Sequence, residues 1–535
     1  MNTRRQFLKK AGRGAVLGTL GFSLGCSANA KPIANNADKQ KSKTPNVLFF
    51  LLDQLAAGIC SYDGGPVPTP NIDRLAKEGV VFTQATCPTP YCSPTRMSAI
   101  TSLYPHQHGI TLNVGWNQKG ITLNDVTTEK ILWQKGYKTH HYGKWHLEGD
   151  DMPYYTDMYR QFPEHLDAMQ DVFEKVSRSD PQGYQNWYGM YFPVDIWPPF
   201  KAAVDKMDPE LWKGKDFAQF TTKMGRLKLP VTQEFDVRVA DHAVSTLRSV
   251  CNGDQPFMVT CGINAPHDPY VVASPYYEMF DPLKIKLPEN RDTLEKRFKN
   301  EWSRRNIADI DKPGMNNPSM REFLRIYYAL TKLADDQVGR IIKVLEETGE
   351  LDNTLVIFAA DHGDMAGGHG MAWKSTTAFY EEVVRVPLII RYPKMFRPKN
   401  IDMAVDHTDI MPTILDITGE TLPTHCQGQS LVDYMTEKKD PAEAYPYKFS
   451  ERIEGNPSAD RKVLPETKGS FMIRGKGWKY IRYPDGGEYM YNLKDDPLEL
   501  KNVADNPEFS DIKEELQNEL KSWLEKTNWQ GQSIV

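Results

Sequence analysis

Short, wholly apolar runs alternate along the chain with stretches in which apolar residues recur at helical spacing. Asn46 to Leu52 (NVLFFLL) shows no polar alternation, the pattern of a parallel strand covered on both faces, and it stops abruptly at Asp53-Gln54. Leu355 to Ala360 (LVIFAA) runs into Asp361-His362-Gly363-Asp364, and Phe257 to Ile263 (FMVTCGI) runs into Asn264-Ala265-Pro266-His267. The shorter Tyr137 to Tyr142 closes on Gly143-Lys144-Trp145-His146. Between these runs, Thr69-Pro70 supplies a cap and first turn, Ile72, Leu75 and Ala76 share a face, and Gly79 stops the helix. Phe323 to Leu345 carries apolar residues at helical spacing ahead of Gly349. Strands alternating with helices predict an α/β fold on a mainly parallel sheet flanked by helices. Polar residues that follow buried parallel strands face the crevice where such sheets bind ligands, so these strand ends predict one shared site.

Composition narrows the picture. The 535 residues are 40% hydrophobic and 25% charged, enough apolar surface for one large domain with a smaller companion. Lys+Arg number 65 against 70 Asp+Glu, so no global basic excess points to a nucleic-acid partner, and an anionic ligand must be met by local cations. The seven cysteines, Cys26, Cys60, Cys87, Cys92, Cys251, Cys261 and Cys426, are too few and odd in number to frame the fold with disulfides. At the N-terminus, Arg4-Arg5 precede an apolar run from Ala15 to Gly25 that is too short to span a bilayer, and the pair resembles a twin-arginine export signal. Ser23-Leu24-Gly25-Cys26 resembles a lipoprotein cleavage site. The expectation is an export signal over 1–26 and a polar tether over 27–44. The expected location is the periplasm or, with membrane attachment through lipidated Cys26, the outer membrane or cell surface of a Gram-negative bacterium.

The strand ends carry specific chemistry. Asp53, Asp361 and Asp364, with the amide oxygen of Gln54 and a nitrogen of His362, form a hard, mainly oxygen set that suits calcium or magnesium better than zinc. The bland alternative has Asp53 capping a helix and Asp361 pairing with His362. Cys92-Ser93-Pro94-Thr95-Arg96 reads as a helix start with Ser93 as N-cap, Pro94 in the first turn, and Met97 and Ile100 on a buried face. Cys92 then sits where free N–H groups, the helix dipole and Arg96 all favour an anion. It could be a buried structural thiol, a metal ligand with Cys87, or the precursor of a nucleophile.

Cys92-Ser93-Pro94-Thr95-Arg96 resembles the C-x-P-x-R motif of type I, formylglycine-dependent sulfatases of the alkaline phosphatase superfamily. Gly136-Tyr137 through Gly143-Lys144-Trp145-His146 resembles the family's second signature, and Asp361-His362-Gly363 resembles its metal motif. Glu488 to Leu493 with Asp495 to Glu499 is similar to its closing hairpin. The resemblance implies an alkaline-phosphatase-like α/β domain over 45–435 and a smaller α+β C-terminal subdomain over 436–535. It implies formylglycine made from Cys92 by a formylglycine-generating maturation enzyme, and Ca2+ held by Asp53, Gln54, Cys92, Asp361 and His362. In the implied site Arg96 holds the formylglycine, Lys144 and Lys374 bind sulfate oxygens, His146 assists deprotonation, and His267 protonates the leaving oxygen. Sulfated carbohydrates, such as polysaccharide-derived oligosaccharides, are the expected substrates.

Three positions depart from the family pattern. Ser102 stands where glycine is usual, a change expected to be tolerated if the residue is not forced to positive φ. Gln54 replaces a second aspartate, and Tyr142 replaces a small or aliphatic residue. Rival readings are a phosphonate monoester or phosphodiester hydrolase of the same superfamily, a choline sulfatase or arylsulfatase, a non-catalytic lipoprotein that binds sulfated glycans, and a thiol enzyme using unmodified Cys92. Asp150 to Pro230, with Tyr184, Trp187, Tyr188, Tyr191, Trp197 and Trp212, reads as a satellite core or a sugar-stacking insert. Arg291 to Arg305 reads as a solvated helix or a guide for polyanions.

Overall fold

The four apolar runs that end in polar residues each form a strand in the computed structural model, which describes residues 44–114, 118–149, 157–160, 224–293, 317–374, 378–454 and 461–533. The export signal with Cys26, the aromatic insert from Tyr184 to Trp212 and most of Arg291 to Arg305 lie outside the described residues. The strands are β1 (Asn46–Leu52), β2 (Val80–Thr86), β3 (Lys138–Gly143), β4 (Asp157–Arg160), β5 (Met224–Leu227), β6 (Phe257–Gly262) and β7 (Tyr270–Ala273). They continue with β8 (Thr354–Ala360), β9 (Leu388–Arg391), β10 (Lys399–Asp406), β11 (Tyr447–Glu454), β12 (Lys468–Gly475), β13 (Trp478–Arg482) and β14 (Glu488–Asn492). An eight-stranded sheet runs β10-β2-β9-β8-β1-β6-β3-β4, parallel except where β9 pairs antiparallel with β2 and β8.

β1 lies between two parallel neighbours, with Leu52 opposite Ala360 and Phe50 opposite Cys261. Its side chains divide by the period of two: Leu48, Phe50 and Leu52 enter one core, and Val47, Phe49 and Leu51 the other. The main helices are α1 (Pro70–Glu78), α2 (Cys92–Thr101), α3 (Phe235–Val250), α4 (Asn317–Glu347), α5 (Ile410–Thr418) and α6 (Ser510–Lys526). α3 and α4 cover the first core and α5 covers the second. β11 to β14 form an antiparallel meander whose inner face packs on Leu516, Leu520 and Trp523 of α6. Among the described residues, no helix is long and apolar enough to cross a membrane.

Two local expectations are corrected. α2 starts at Cys92 itself with Tyr91 as N-cap, so Ser93 is not the cap. Instead Asn113 and Ser93 clasp each other's segments: the Ser93 N–H donates to Asn113 Oδ1 at 3.2 Å, and the Val114 N–H donates to Ser93 Oγ at 3.0 Å. Pro94 still falls in the first turn, where its missing N–H costs nothing. Ser102, the C-cap of α2, does adopt a left-handed φ of 59°. Its hydroxyl compensates, donating to Thr408 O at 2.6 Å and accepting from the Gly428 N–H at 3.1 Å. Tyr142 is fully buried on β3, its hydroxyl 2.5 Å from Thr246 Oγ1.

Candidate active site

The chemistry-bearing residues meet because the sheet ladder continues past the strands. The Asp53 N–H donates to Ile263 O at 2.9 Å, the Asp361 N–H to Leu52 O at 2.9 Å, and the Lys144 N–H to Gly262 O at 2.8 Å. That closeness needs glycine: a Cβ on Gly262 would lie 2.2 Å from Lys144 O. α2 brings its N-terminus to the same edge and buries Cys92 completely.

Sγ of Cys92 is 3.2 Å from His362 Nε2, 3.0 Å from Lys374 Nζ, 3.8 Å from Lys144 Nζ and 3.8 Å from Asp53 Oδ1. Burial and Asp53 push its pKa up, but Lys144, Lys374 and His362 outweigh them and hold the thiol below its usual value. Arg96 spans both aspartates, with Nε donating to Asp361 Oδ2 at 2.9 Å, Nη2 to Asp53 Oδ2 at 3.2 Å and Nη1 to Lys144 O at 3.0 Å. Lys144 Nζ also pairs with Asp53 Oδ2. Burial opposes ionisation of Asp53, yet Lys144, His267, Arg96 and His362 hold it well below the usual carboxylate range.

One ligand atom each from Asp53, Cys92, Asp361 and His362 lies within 4.8 Å of the others, a cluster able to hold a metal ion. His362 Nδ1 faces Gly363 O at 2.9 Å and so carries the proton, leaving Nε2 as the acceptor. Gln54 fits the same set: Nε2 donates to Asp364 Oδ2 at 2.6 Å and to Tyr270 OH at 2.9 Å, while Oε1 is buried with no partner. An orphaned, buried amide oxygen on the residue that follows Asp53 is what a hard cation would satisfy. Asp364 is not in the cluster. Its Oδ1 accepts the N–H groups of Ala366 at 2.8 Å and Trp373 at 3.0 Å, and its Oδ2 orients Gln54 and Tyr270. Cys87 stands apart too, its thiol directed at Val383 O, and no disulfide joins the described cysteines.

His267 Nδ1 lies 2.6 Å from Asp268 O and 3.0 Å from Asp268 Oδ1, and its Nε2 accepts from Lys374 Nζ at 3.2 Å. Burial, then Lys144, pulls its pKa well below the usual histidine value. His146 is buried with φ 57°, and burial and Lys144 depress it likewise. It is coupled to the centre through Lys144, Asp53, Arg96 and Lys374, and is not among the polar partners of Cys92. Tyr270, Trp373 and Asp268 join the site although no sequence motif marks them. Trp373 Nε1 donates to Asp268 Oδ1 at 2.9 Å, which ties the His267 loop to the Lys374 loop. Asp268 adjoins His267 at a strand end, a signal that was available. Tyr270 lies within a buried strand and gave none. A cavity of about 980 Å3 near Arg74, Leu351 and Arg391 lies at the amino ends of the strands, away from this cluster, and Glu78, Glu346 and Asp352 pair Arg74 and Arg391.

A family model described as Sulfatase matches residues 45–420, and one described as N-sulphoglucosamine sulphohydrolase, C-terminal, matches residues 367–526. An ulvan-active sulfatase of Formosa agariphila is 26% identical over 517 residues, covering 94% of this chain and 84% of the relative. An N-acetylglucosamine-6-O-sulfatase of Bacteroides thetaiotaomicron is 26% identical over 570 residues, covering 92% and 88%. Among solved structures, a phosphonate monoester hydrolase of Agrobacterium radiobacter shares the fold with a TM-score of 0.70 at 22% identity, covering 90% of this chain and 96% of the other.

Proposed function

The chain belongs to the sulfatase family and is a sulfuric ester hydrolase, and from that premise we propose that it acts on sulfated carbohydrates through a formylglycine made from Cys92 beside a calcium ion. The observation that carries this reading is Cys92 itself, buried at a helix N-terminus with Lys374 Nζ at 3.0 Å and a metal-ligand cluster around it. The two relatives named above, one ulvan-active and one acting on N-acetylglucosamine 6-O-sulfate by name, support the carbohydrate class.

Asp53, Asp361, His362, the Gln54 amide oxygen and the side chain at position 92 would hold the ion, which supplies Lewis-acid polarisation of an oxygen on the converted side chain. The converted side chain, as its hydrate, supplies an oxygen nucleophile and a second hydroxyl. The remaining work belongs to the chain's own residues. Lys144 and Lys374 meet the non-bridging sulfate oxygens, and their burial makes each contact stronger than in water. Arg96 fixes the two aspartates by a hydrogen bond to each and offsets their charge. His146, held neutral by burial and Lys144, can accept a proton.

His267 directs Nδ1–H to Asp268, so Nε2 delivers a proton to the leaving oxygen only when the ring is an imidazolium. Burial opposes that charge in the free protein, and Lys144 and Lys374 add to it. A bound sulfate ester offsets the lysines and raises the proton affinity of His267, so substrate arms its own general acid.

The same proposal has the protein exported to the periplasm or surface and matured by a formylglycine-generating enzyme, with no nucleic-acid partner. The test is sulfate release from a panel of defined sulfated mono- and oligosaccharides, using protein matured with that enzyme, Cys92→Ala as control, and peptide mass spectrometry of position 92. An aldehyde and release by wild type alone support the reading. An intact thiol in active enzyme overturns the formylglycine step, and turnover of phosphonate or phosphodiester esters with no sulfate release moves the site to that chemistry.

A further inference from the structure

Arg452 is a cation that the chemistry above does not use. It lies on β11 beside Glu451, whose side chain holds His106 on the opposite face. The Arg452 guanidinium carbon is 4.8 Å from the centroid of the Tyr91 ring, and Lys374 Nζ is 5.8 Å from the same centroid. Tyr91 is the N-cap of α2, directly before Cys92. One ring thus contacts both a cation that touches Cys92 and a cation contributed by the C-terminal sheet.

Nη1 of Arg452 donates to Thr111 O at 3.3 Å and to Ile453 O at 2.9 Å; Glu454 attracts the guanidinium at a distance, but among the described residues no carboxylate forms a close ion pair with it. Nε and Nη2 make no hydrogen bond to a described residue, and the half-buried guanidinium keeps them open to a ligand. Two neighbours are also unsatisfied, for Thr111 Oγ1 and Glu454 Oε1 are buried without partners. Glu454 follows two positions along β11 and so shares the strand face of Arg452. Accessible guanidinium donors with no protein acceptor, near a buried acceptor with no donor and next to a site for anions, are arranged for a polar ligand rather than for the fold.

Resting on the reading of Cys92 as the sulfate-transfer centre, we infer that Arg452 and Glu454, set against Tyr91, receive a second anionic group, a carboxylate or a further sulfate, on the saccharide that carries the scissile ester. Nε and Nη2 of a planar guanidinium match two oxygens of either group. Glu454 accepts from a neighbouring hydroxyl. Arg452 touches none of the reacting atoms, so it governs which saccharide binds and leaves the rate of the bound ester alone.

Two matched pairs test this: glucosamine 6-sulfate against glucosamine 2-N,6-O-disulfate, and N-acetylglucosamine 6-sulfate alone against the same unit linked to a hexuronate. The first pair reports a second sulfate and the second a carboxylate. The expected result is a KM at least tenfold lower for the dianionic member of one pair. Arg452→Gln removes that preference while kcat, and KM for the monoanionic member, stay within twofold. Arg452→Lys retains part of it. The wild-type preference also shrinks with added salt, a measurement that needs no variant. Equal performance by both members in wild type, or an equal loss on both in Arg452→Gln, overturns the inference. Calorimetric binding to Cys92→Ala protein separates it from the premise. Sulfate release without an Arg452-dependent preference overturns this inference alone, and Arg452-dependent binding without release overturns only the sulfate-transfer reading. Neither binding nor release overturns both.

Discussion

At the scale of single residues, Lys374 and Gln54 make opposite kinds of prediction. Lys374 Nζ lies 3.0 Å from Cys92 Sγ and is buried, so Lys374→Ala removes a charged donor aimed at the reacting group. Loss of such a donor costs about 3–4 kcal/mol, and kcat/KM is expected to fall by two to three orders of magnitude in a sulfate-release assay. Gln54→Asp restores the family's usual aspartate, yet it is expected to harm this protein. Gln54 Nε2 donates to Asp364 Oδ2 at 2.6 Å, and a carboxylate there would oppose another carboxylate where both side chains are fully buried. The expected loss is about 1–3 kcal/mol of stability by urea titration, and Asp364→Asn added to Gln54→Asp should recover most of it. Sequence made Cys92, Arg96, Lys144, Asp361 and His362 legible because each follows a strand or opens a helix inside a contiguous motif. The hydrogen bonds of Gln54 were not legible: Asp364 is grouped with it from the sequence as a fellow ligand and proves to be its acceptor, and Tyr270 meets it across 216 residues of chain, a proximity that only tertiary packing creates.

At the scale of elements, the strands were readable because burial on both faces erases the period of two, and β1 and β8 are buried at every position. The start of α2 departs from the cap that Ser93 predicts because its first turn is held by Asn113, twenty residues away, and not by a local cap. Its end depends on Ser102, which sits at φ 59° with both functions of its hydroxyl engaged. Ser102→Ala keeps the left-handed backbone and loses both bonds, which leaves Thr408 O and the Gly428 N–H without that partner. A destabilisation of about 1–3 kcal/mol is expected. Ser102→Gly loses the same bonds but relieves about 1 kcal/mol of left-handed strain, so its urea midpoint should fall between those of Ser102→Ala and wild type. Equal midpoints for the two variants would mean that the strain is not felt.

At the scale of the whole molecule, buried carboxylates set how stability depends on pH. Burial pushes Glu234 up to about 8 against the lowering effect of the Ala273 N–H, and pushes Glu129 up to about 7. The Glu129 oxygens are buried without a well-formed hydrogen bond, so the folded state favours its proton. Each group's unfolded pKa is close to 4.5. Between about 4.5 and 7–8 the native protein therefore holds protons that the unfolded chain has lost, and stability falls as pH rises through that window. Asp53 and Glu381 work the other way: despite burial, Lys144 beside the first and Arg474 beside the second keep their folded pKa values low, so their contribution disappears on acidification. The opposing slopes bound a maximum on the acid side of neutrality. Urea midpoints measured from pH 4 to pH 9 should rise and then decline, with the decline ending near pH 8. Glu234→Gln and Glu129→Gln each remove one titrating proton, so the decline should flatten in either variant while the acid limb stays where it is. A decline of unchanged slope in both would assign it to other groups and leave these two carboxylates ionised in the folded protein.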